Sequence, residues 1–367
     1  MQPPDNKMDQ MNRMQRMSKF KNWIDFLQAS DEEHTIRSVI DYVLGICMLL
    51  ANSMAIVTIV RFDRLHTRPN MYILSLSLSD SFIGVQLILA ATYRLPEYRN
   101  WFATTEDVCV TFLSAWCLFF VATMLNTLVI AVDRYMYVSS PFLYEDHVTE
   151  KRIMLLLAVL WISATLYASW PLVDNTFIPG FCEADLVLPK VMRAYTTFAI
   201  FLACLVVSGV LYARITLIAV HHRERVEAIE MTARREHGST RKRSDAVAAK
   251  RFSTQVRSAL RFLRTYKLFL CVYGLMAVCY TPYFVSEFVL ELMDKITEYP
   301  EYLTICKYIA LVNSGMNVFV YAYFNHDFRH AMKATLTCSR PRFESHAFDT
   351  RRRSTAANFT SQSTVYN

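Results

Sequence analysis

Apolar residues along this chain gather in long blocks, and the charges lie between them. Residues 42–60, 110–132, 153–173, 194–213, 268–286 and 308–326 each run 19 to 23 positions without a charge. A seventh block, 71–93, carries one charge, Asp80. A helix rises about 1.5 Å per residue, so roughly 20 apolar residues cross a bilayer core. One such block suits a buried core helix. Seven in one chain cannot all be wrapped in soluble protein. The pattern predicts an all-α membrane protein, a seven-transmembrane helix bundle spanning approximately 38–60, 71–93, 106–138, 153–173, 191–220, 266–293 and 301–324. Around it lie an N-terminal segment 1–37, a basic third inner loop 221–265, a short amphipathic tail helix 325–338 and a tail 339–367.

Composition narrows the class further. Of 367 residues, 53% are hydrophobic, 19% charged and only 7 are glycine. A soluble α/β enzyme with phosphate loops needs more glycine, and a disordered chain far fewer aromatics. No apolar signal segment precedes the first block, so the first helix is expected to serve as its own insertion signal. With the N-terminus outside and the C-terminus inside, inner segments hold 25 of the 39 basic residues and outer ones 12. That is the positive-inside bias, and the expected address is the plasma membrane.

Several segments have two readings each. The basic runs of 221–265 suit a face solvated against anionic lipid, or a docking surface for a cytosolic partner. The lack of proline there predicts that helices five and six continue beyond the bilayer. In the tail, Phe328 and Met332 share one helical face ahead of Cys338, either a palmitoylation site on the inner leaflet or a free thiol. Met8, Met11, Met14 and Met17 recur every third residue, a Cu(I)-like thioether pattern whose blander reading is an amphipathic helix. The outer side holds no glycosylation sequon. Nothing points to nucleic acid. Of nine cysteines, most sit inside the helices as small apolar side chains. Cys109 and Cys182 lie at the outer side, where an oxidising compartment favours a disulfide.

Polar groups inside the helices carry the functional signal, because intramembrane charge is costly. Asp80 sits mid-block in the second span and Asp133-Arg134 at the inner end of the third. Asn313, Ser314 and Asn317 lie in the seventh, and Pro282 interrupts the sixth. In this order they resemble a rhodopsin-like (class A) G-protein-coupled receptor along all seven helices and the tail helix. Asn52, Leu76-Ser77-Leu78-Ser79-Asp80, Trp101, Pro141, Trp161 and Tyr212 fit that family's marks. So do Asp133-Arg134-Tyr135, Cys279-Tyr280-Thr281-Pro282 and Asn317-Val318-Phe319-Val320-Tyr321.

The resemblance implies a receptor for an extracellular ligand, with heterotrimeric G protein and arrestin as cytosolic partners and membrane lipid around it. It implies a Cys109–Cys182 disulfide and a switch built from Asp133, Arg134, Tyr135, Tyr212, Tyr280, Pro282, Asn317 and Tyr321. It implies no cofactor beyond an allosteric sodium ion at Asp80, Thr123, Asn313, Ser314 and Asn317. The family pocket maps onto Trp116, Phe120, Thr196, Thr197, Tyr283, Phe284, Glu287 and Lys307. Three departures stand out: Tyr280 for a tryptophan, and Val318 and Cys204 for prolines, which predicts straighter fifth and seventh helices. Phe262 replaces the helix-six acid that restrains the arginine, which predicts ligand-free signalling.

The ligand class is argued from absences. An amine receptor of this family places an aspartate where this chain has Trp116, and a retinal protein a lysine where it has Leu311. Amines are disfavoured, although an indole face attracts cations. An aromatic cavity with Glu287 and Lys307 at its mouth suits a peptide terminus or small zwitterion, with peptide the preferred expectation. In the other arrangement, Asp41 neutralises Lys307 and Glu287 stands alone. The competing class is a transporter or channel using Asp80 in an ion path, against which no internal repeat appears. No catalytic constellation marks an enzyme.

Overall fold

The computed structural model describes residues 31–236, 244–296, 299–337 and 339. The methionine repeat, Cys338 and the sequon Asn358-Phe359-Thr360 lie outside the described residues, as do the side chains of 225–236 and 244–266, including that of Phe262. Among the described residues, seven helices are long and apolar enough to cross a membrane. They are α1 (Asp31–Arg61), α2 (Arg68–Tyr93), α3 (Glu106–Ser139), α4 (Glu150–Ala168), α5 (Thr197–Glu236), α6 (Ser244–Leu292) and α7 (Pro300–Phe324), followed by a short α8 (His326–Leu336). Among the described residues there is no strand, only an isolated bridge between Ile178 and Phe181.

The helices face two environments. Leu155, Ile162 and Leu166 on α4, and Val43, Leu50 and Val57 on α1, are exposed apolar side chains, the surface a bilayer would cover. Inward, Ile59, Leu76, Ile130, Tyr212, Phe269 and Tyr321 form one core layer. Met124, Phe201, Met276, Tyr280 and Phe284 form a second. Side-chain amides and indoles tie the helices together where apolar packing alone gives no direction. Asn52 Nδ2 donates to the carbonyl of Ser314 at 3.1 Å, joining α1 to α7. Trp161 Nε1 donates to Ser75 Oγ at 3.1 Å, joining α4 to α2.

α1 and α2 approach closely, backbone to backbone, at Gly45 and Gly84. A Cβ on Gly84 would lie 2.9 Å from the Gly45 carbonyl oxygen and 3.0 Å from the Leu49 nitrogen, both backbone atoms that no rotamer change can move. Gly84→Leu is therefore expected to force the two helices apart, costing about 1–3 kcal/mol or more by overpacking. Thermal unfolding of the detergent-solubilised protein checks this, and an unchanged Tm would remove the contact's importance.

Several boundaries differ from the sequence reading. Helices five and six continue beyond the bilayer as the lack of proline predicts, α5 to Glu236 and α6 from Ser244 onward, so much of the segment read as the loop 221–265 is helical. The first helix begins at Asp31, inside the segment read as an N-terminal extension. The fourth is interrupted after Ala168, because Pro171 cannot donate to a carbonyl four residues back, but helix resumes over Trp170–Val173 and the span ends at Val173, as read from the sequence. In the seventh, Val318 lets α7 run unbroken through Phe324. In the fifth, the irregularity absent at Cys204 appears at the start, where Val191–Thr196 forms a π-turn. Finally, Phe328 of α8 is buried against Tyr321 at a ring separation of 6.3 Å, so it faces the bundle rather than an inner leaflet.

Candidate functional site

One end of the bundle holds an open cavity of about 510 Å³. Its roof is the segment between α4 and α5, pinned by the Cys109–Cys182 disulfide with Cα atoms 5.8 Å apart. The roof is held further by Gly180 N–H donating to the Ala103 carbonyl at 2.8 Å and Thr176 N–H to that of Val187 at 3.0 Å. Gly180 adopts φ +98°, a left-handed conformation suited to glycine. Trp116, Phe120, Thr197, Tyr283, Phe284, Glu287 and Lys307 all line the cavity. Thr196 does not. Inside the π-turn its hydroxyl donates to the Val191 carbonyl at 2.8 Å, which corrects the expectation that it meets a ligand.

The charges are arranged differently from either sequence arrangement. The π-turn at the outer end of the fifth span carries Arg193 into the wall. Its guanidinium pairs with Glu287 Oε1 at 3.0 Å, Glu291 Oε2 at 2.6 Å and Asp185 Oδ1 at 3.1 Å. Lys190 reaches Glu291 as well, at 3.0 Å. Glu287 is therefore committed within the protein. Asp41 pairs with Arg94, not with Lys307. The Lys307 ammonium instead sits over the Trp116 ring, 5.3 Å from its centroid. Glu183, beside the disulfide, lines the same cavity. Its side chain is exposed to the cavity, where the positive charges of Lys307 and Arg94 act on its carboxylate. Neither Arg193 nor Glu183 was singled out from sequence. For Glu183 the available signal was its place next to the bridged Cys182.

Below the cavity, rings lead inward: Trp116 stacks on Phe120 at 5.5 Å, and Phe120 meets Tyr280 at 6.0 Å. The Tyr280 hydroxyl stands beside Asn313 and Ser314. There a buried polar cluster surrounds Asp80. Thr123 Oγ1 lies 3.1 Å from Asp80 Oδ1, and Asn317 Nδ2 donates to Oδ2 at 2.9 Å. Asn313 Oδ1, Ser314 Oγ and Asn317 Oδ1 are buried without a hydrogen-bond partner in the protein. A carboxylate ringed by uncommitted hard oxygens fits the donor set of a small hard cation.

At the opposite end, Arg134 is buried and its guanidinium binds Asp133, with Nε 2.9 Å from Oδ2. Tyr144, on the short helix Pro141–His147, donates to the other carboxylate oxygen at 2.9 Å. The guanidinium also lies over Tyr137 and Phe269, 5.4 and 5.1 Å from the ring centroids. Tyr135 packs against the core layer nearby. Tyr212 and Tyr321 are buried in that layer, and the Tyr321 hydroxyl has no partner in the protein.

A seven-helix bundle with a disulfide-roofed cavity at one end, a buried arginine–carboxylate pair at the other and a polar cluster between has the architecture of a membrane receptor. The chain matches the 7 transmembrane receptor (rhodopsin family) over residues 51–321 and belongs to that family. It is similar to a D(5)-like dopamine receptor of Takifugu rubripes, 26% identical over 81% of this chain and 66% of that receptor. An octopamine receptor beta-2R of Chilo suppressalis is 25% identical over 83% of the chain and 80% of its own length. A D(1A) dopamine receptor of Xenopus laevis is 27% identical over 81% and 71%. The chain thus spans just under two thirds of the first of these relatives. The family is one of receptors, not enzymes, and the transporter or channel alternative is set aside with it. Its members are multi-pass proteins of the plasma membrane.

Proposed function

We propose that this protein is a G-protein-coupled receptor with the disulfide end outside the cell and the Arg134 end in the cytosol. A ligand entering the cavity biases the bundle toward a state in which Arg134 leaves Asp133 for Tyr212 and Tyr321, opening a cleft for a heterotrimeric G protein, and afterwards for arrestin. Two sites bias one equilibrium, so agonist and G protein strengthen each other's binding. The observation that carries this reading is the Arg134–Asp133 pair, a buried ion pair at one end of a bundle whose other end is an accessible cavity. The expectation of a peptide ligand finds no support among the relatives, which are named as receptors for the amines dopamine and octopamine.

Asp80, Thr123, Asn313, Ser314 and Asn317 would hold a sodium ion, whose charge would favour the resting arrangement of the cluster. Pro282 and Tyr280 lie on α6 between the cavity and that cluster, where a change in ring packing reaches both.

The test is basal activation of a panel of G proteins in cells, comparing wild type with Arg134→Ala at matched surface expression. Ligand-free signal is expected, falling at least tenfold in the variant, because the restraint on Arg134 is a neighbour on its own helix. Replacing external sodium by N-methylglucamine is expected to raise that signal, and Asp80→Asn to remove the sodium dependence. Equal signal from vector and wild type across the panel would sink the ligand-free activity. Signal indifferent to Arg134 would sink the switch.

A further inference from the structure

We propose that the cavity takes a small aromatic zwitterion, its carboxylate on Lys307 and its ammonium on Glu183, rather than a simple amine. The proposal rests on the receptor reading above. It follows from which charges the cavity has left to offer. Arg193 is held by Asp185, Glu287 and Glu291. Asp41 and Arg94 hold each other. Arg99 donates twice to the Arg94 carbonyl, at 3.2 and 3.0 Å, and Arg37 makes contacts of its own. Among the described residues, Glu183 and Lys307 alone of the acids and lysines lining the cavity have no ion pair within 4 Å.

Lys307 matters because of where its ammonium sits. The Trp116 ring occupies the position of the family's amine-binding acid, and its face is the one feature of that position that attracts a cation. Lys307 already covers it. A ligand ammonium directed there meets a like charge and no carboxylate. A ligand carboxylate directed there meets three N–H donors of an ammonium held in place by the ring, a charge-assisted hydrogen bond in a confined site. Glu183 has the complementary need. Its side chain is exposed to the cavity and has no ion pair within 4 Å, so a ligand ammonium can reach its carboxylate. A ligand ammonium supplies the donors that the protein does not. A ligand with both charges leaves the cavity's net charge unchanged and engages both side chains, whereas an amine or an acid alone engages only one of them. Phe120, Tyr283 and Phe284 provide the surface for an aromatic body, and the volume suits a molecule of that size.

The test uses the full receptor in cells and matched trios sharing one aromatic body: phenylalanine, phenethylamine and 3-phenylpropionate; tyrosine, tyramine and its deaminated acid; tryptophan, tryptamine and indole-3-propionate. Dopamine and octopamine are added as simple amines. In at least one trio the zwitterion is expected to stimulate at a concentration about tenfold or more below its amine and its acid. Lys307→Met is expected to erase the advantage over the amine, Glu183→Gln the advantage over the acid, and Lys307→Arg to retain both. Surface labelling separates these effects from failure to fold. An amine as potent as its zwitterion, or silence of every trio at millimolar concentration, overturns the proposal. Where Arg134-dependent basal signal persists alongside that silence, the receptor reading survives. Where the basal signal is absent too, both fall.

Discussion

Arg193→Met is expected to destabilise the protein by about 3–5 kcal/mol, because removing one member of a buried charge network leaves the others unpaired in low dielectric. The Arg193 side chain is 4% exposed, Glu287 5% and Glu291 2%. The two carboxylates do not suffer equally. Glu291 keeps Lys190 at 3.0 Å, but Glu287 is ion-paired with Arg193 alone among the described residues. The loss should therefore fall mainly on Glu287, and a second substitution should reveal it. Arg193→Met with Glu287→Gln is expected to recover most of the lost stability, and Arg193→Met with Glu291→Gln much less. Thermal unfolding of the solubilised receptor and its surface level measure both. Equal rescue by either glutamine would show that the network shares its charge differently, and a wild-type Tm for the single variant would show that the network is dispensable.

The contrast between Arg193 and Arg134 shows what the sequence made legible. Arg134 was found because it lies next to Asp133 at the end of an apolar block, where cost and spacing both point to it. The seven spans were legible for the same reason: uncharged length is a local property. Arg193 lies at a boundary, where a charge is as cheap outside the bilayer as it is useful inside the bundle. Only the π-turn, which adds a residue to one helical turn, decides which way it faces. The pairing of Asp41 with Arg94 instead of Lys307 is a three-helix packing result that no spacing rule contains. The helical continuation of α5 and α6 through much of 221–265 was half legible. The absence of proline permitted it, but basic composition alone suits either loop or solvated helix. Of the pocket, the rings were placed by motif offset. Glu183 was not, because a loop residue has no periodicity to fix its direction.

The roof that carries Glu183 gives the second large effect. Cys109→Ser, Cys182→Ser and the double variant are expected to lose similar stability. Each opens the same cross-link between residues 73 apart in sequence, and two changes to one bond do not add. A free-chain loop of that length corresponds to about 4 kcal/mol of lost closure entropy. Here α3 and α4 remain inserted when the roof detaches, so the chain released is shorter than the sequence separation. The cost should fall at the lower end of the usual range, about 2–4 kcal/mol. Function should divide more sharply than stability. The Arg134–Asp133 pair is at the far end of the bundle and shares no residue with the roof. The bonds from Thr176 to Val187 and from Gly180 to Ala103 keep the roof partly folded, but nothing covalent then holds Glu183 over the cavity. At matched surface density, basal signal in the double variant should stay within about twofold of wild type, while ligand potency falls at least tenfold, a difference of about 1.4 kcal/mol at the ligand. Basal and ligand-driven signals falling together would mean that the roof supports the bundle as a whole. A preserved ligand response would mean that its hydrogen bonds alone position Glu183.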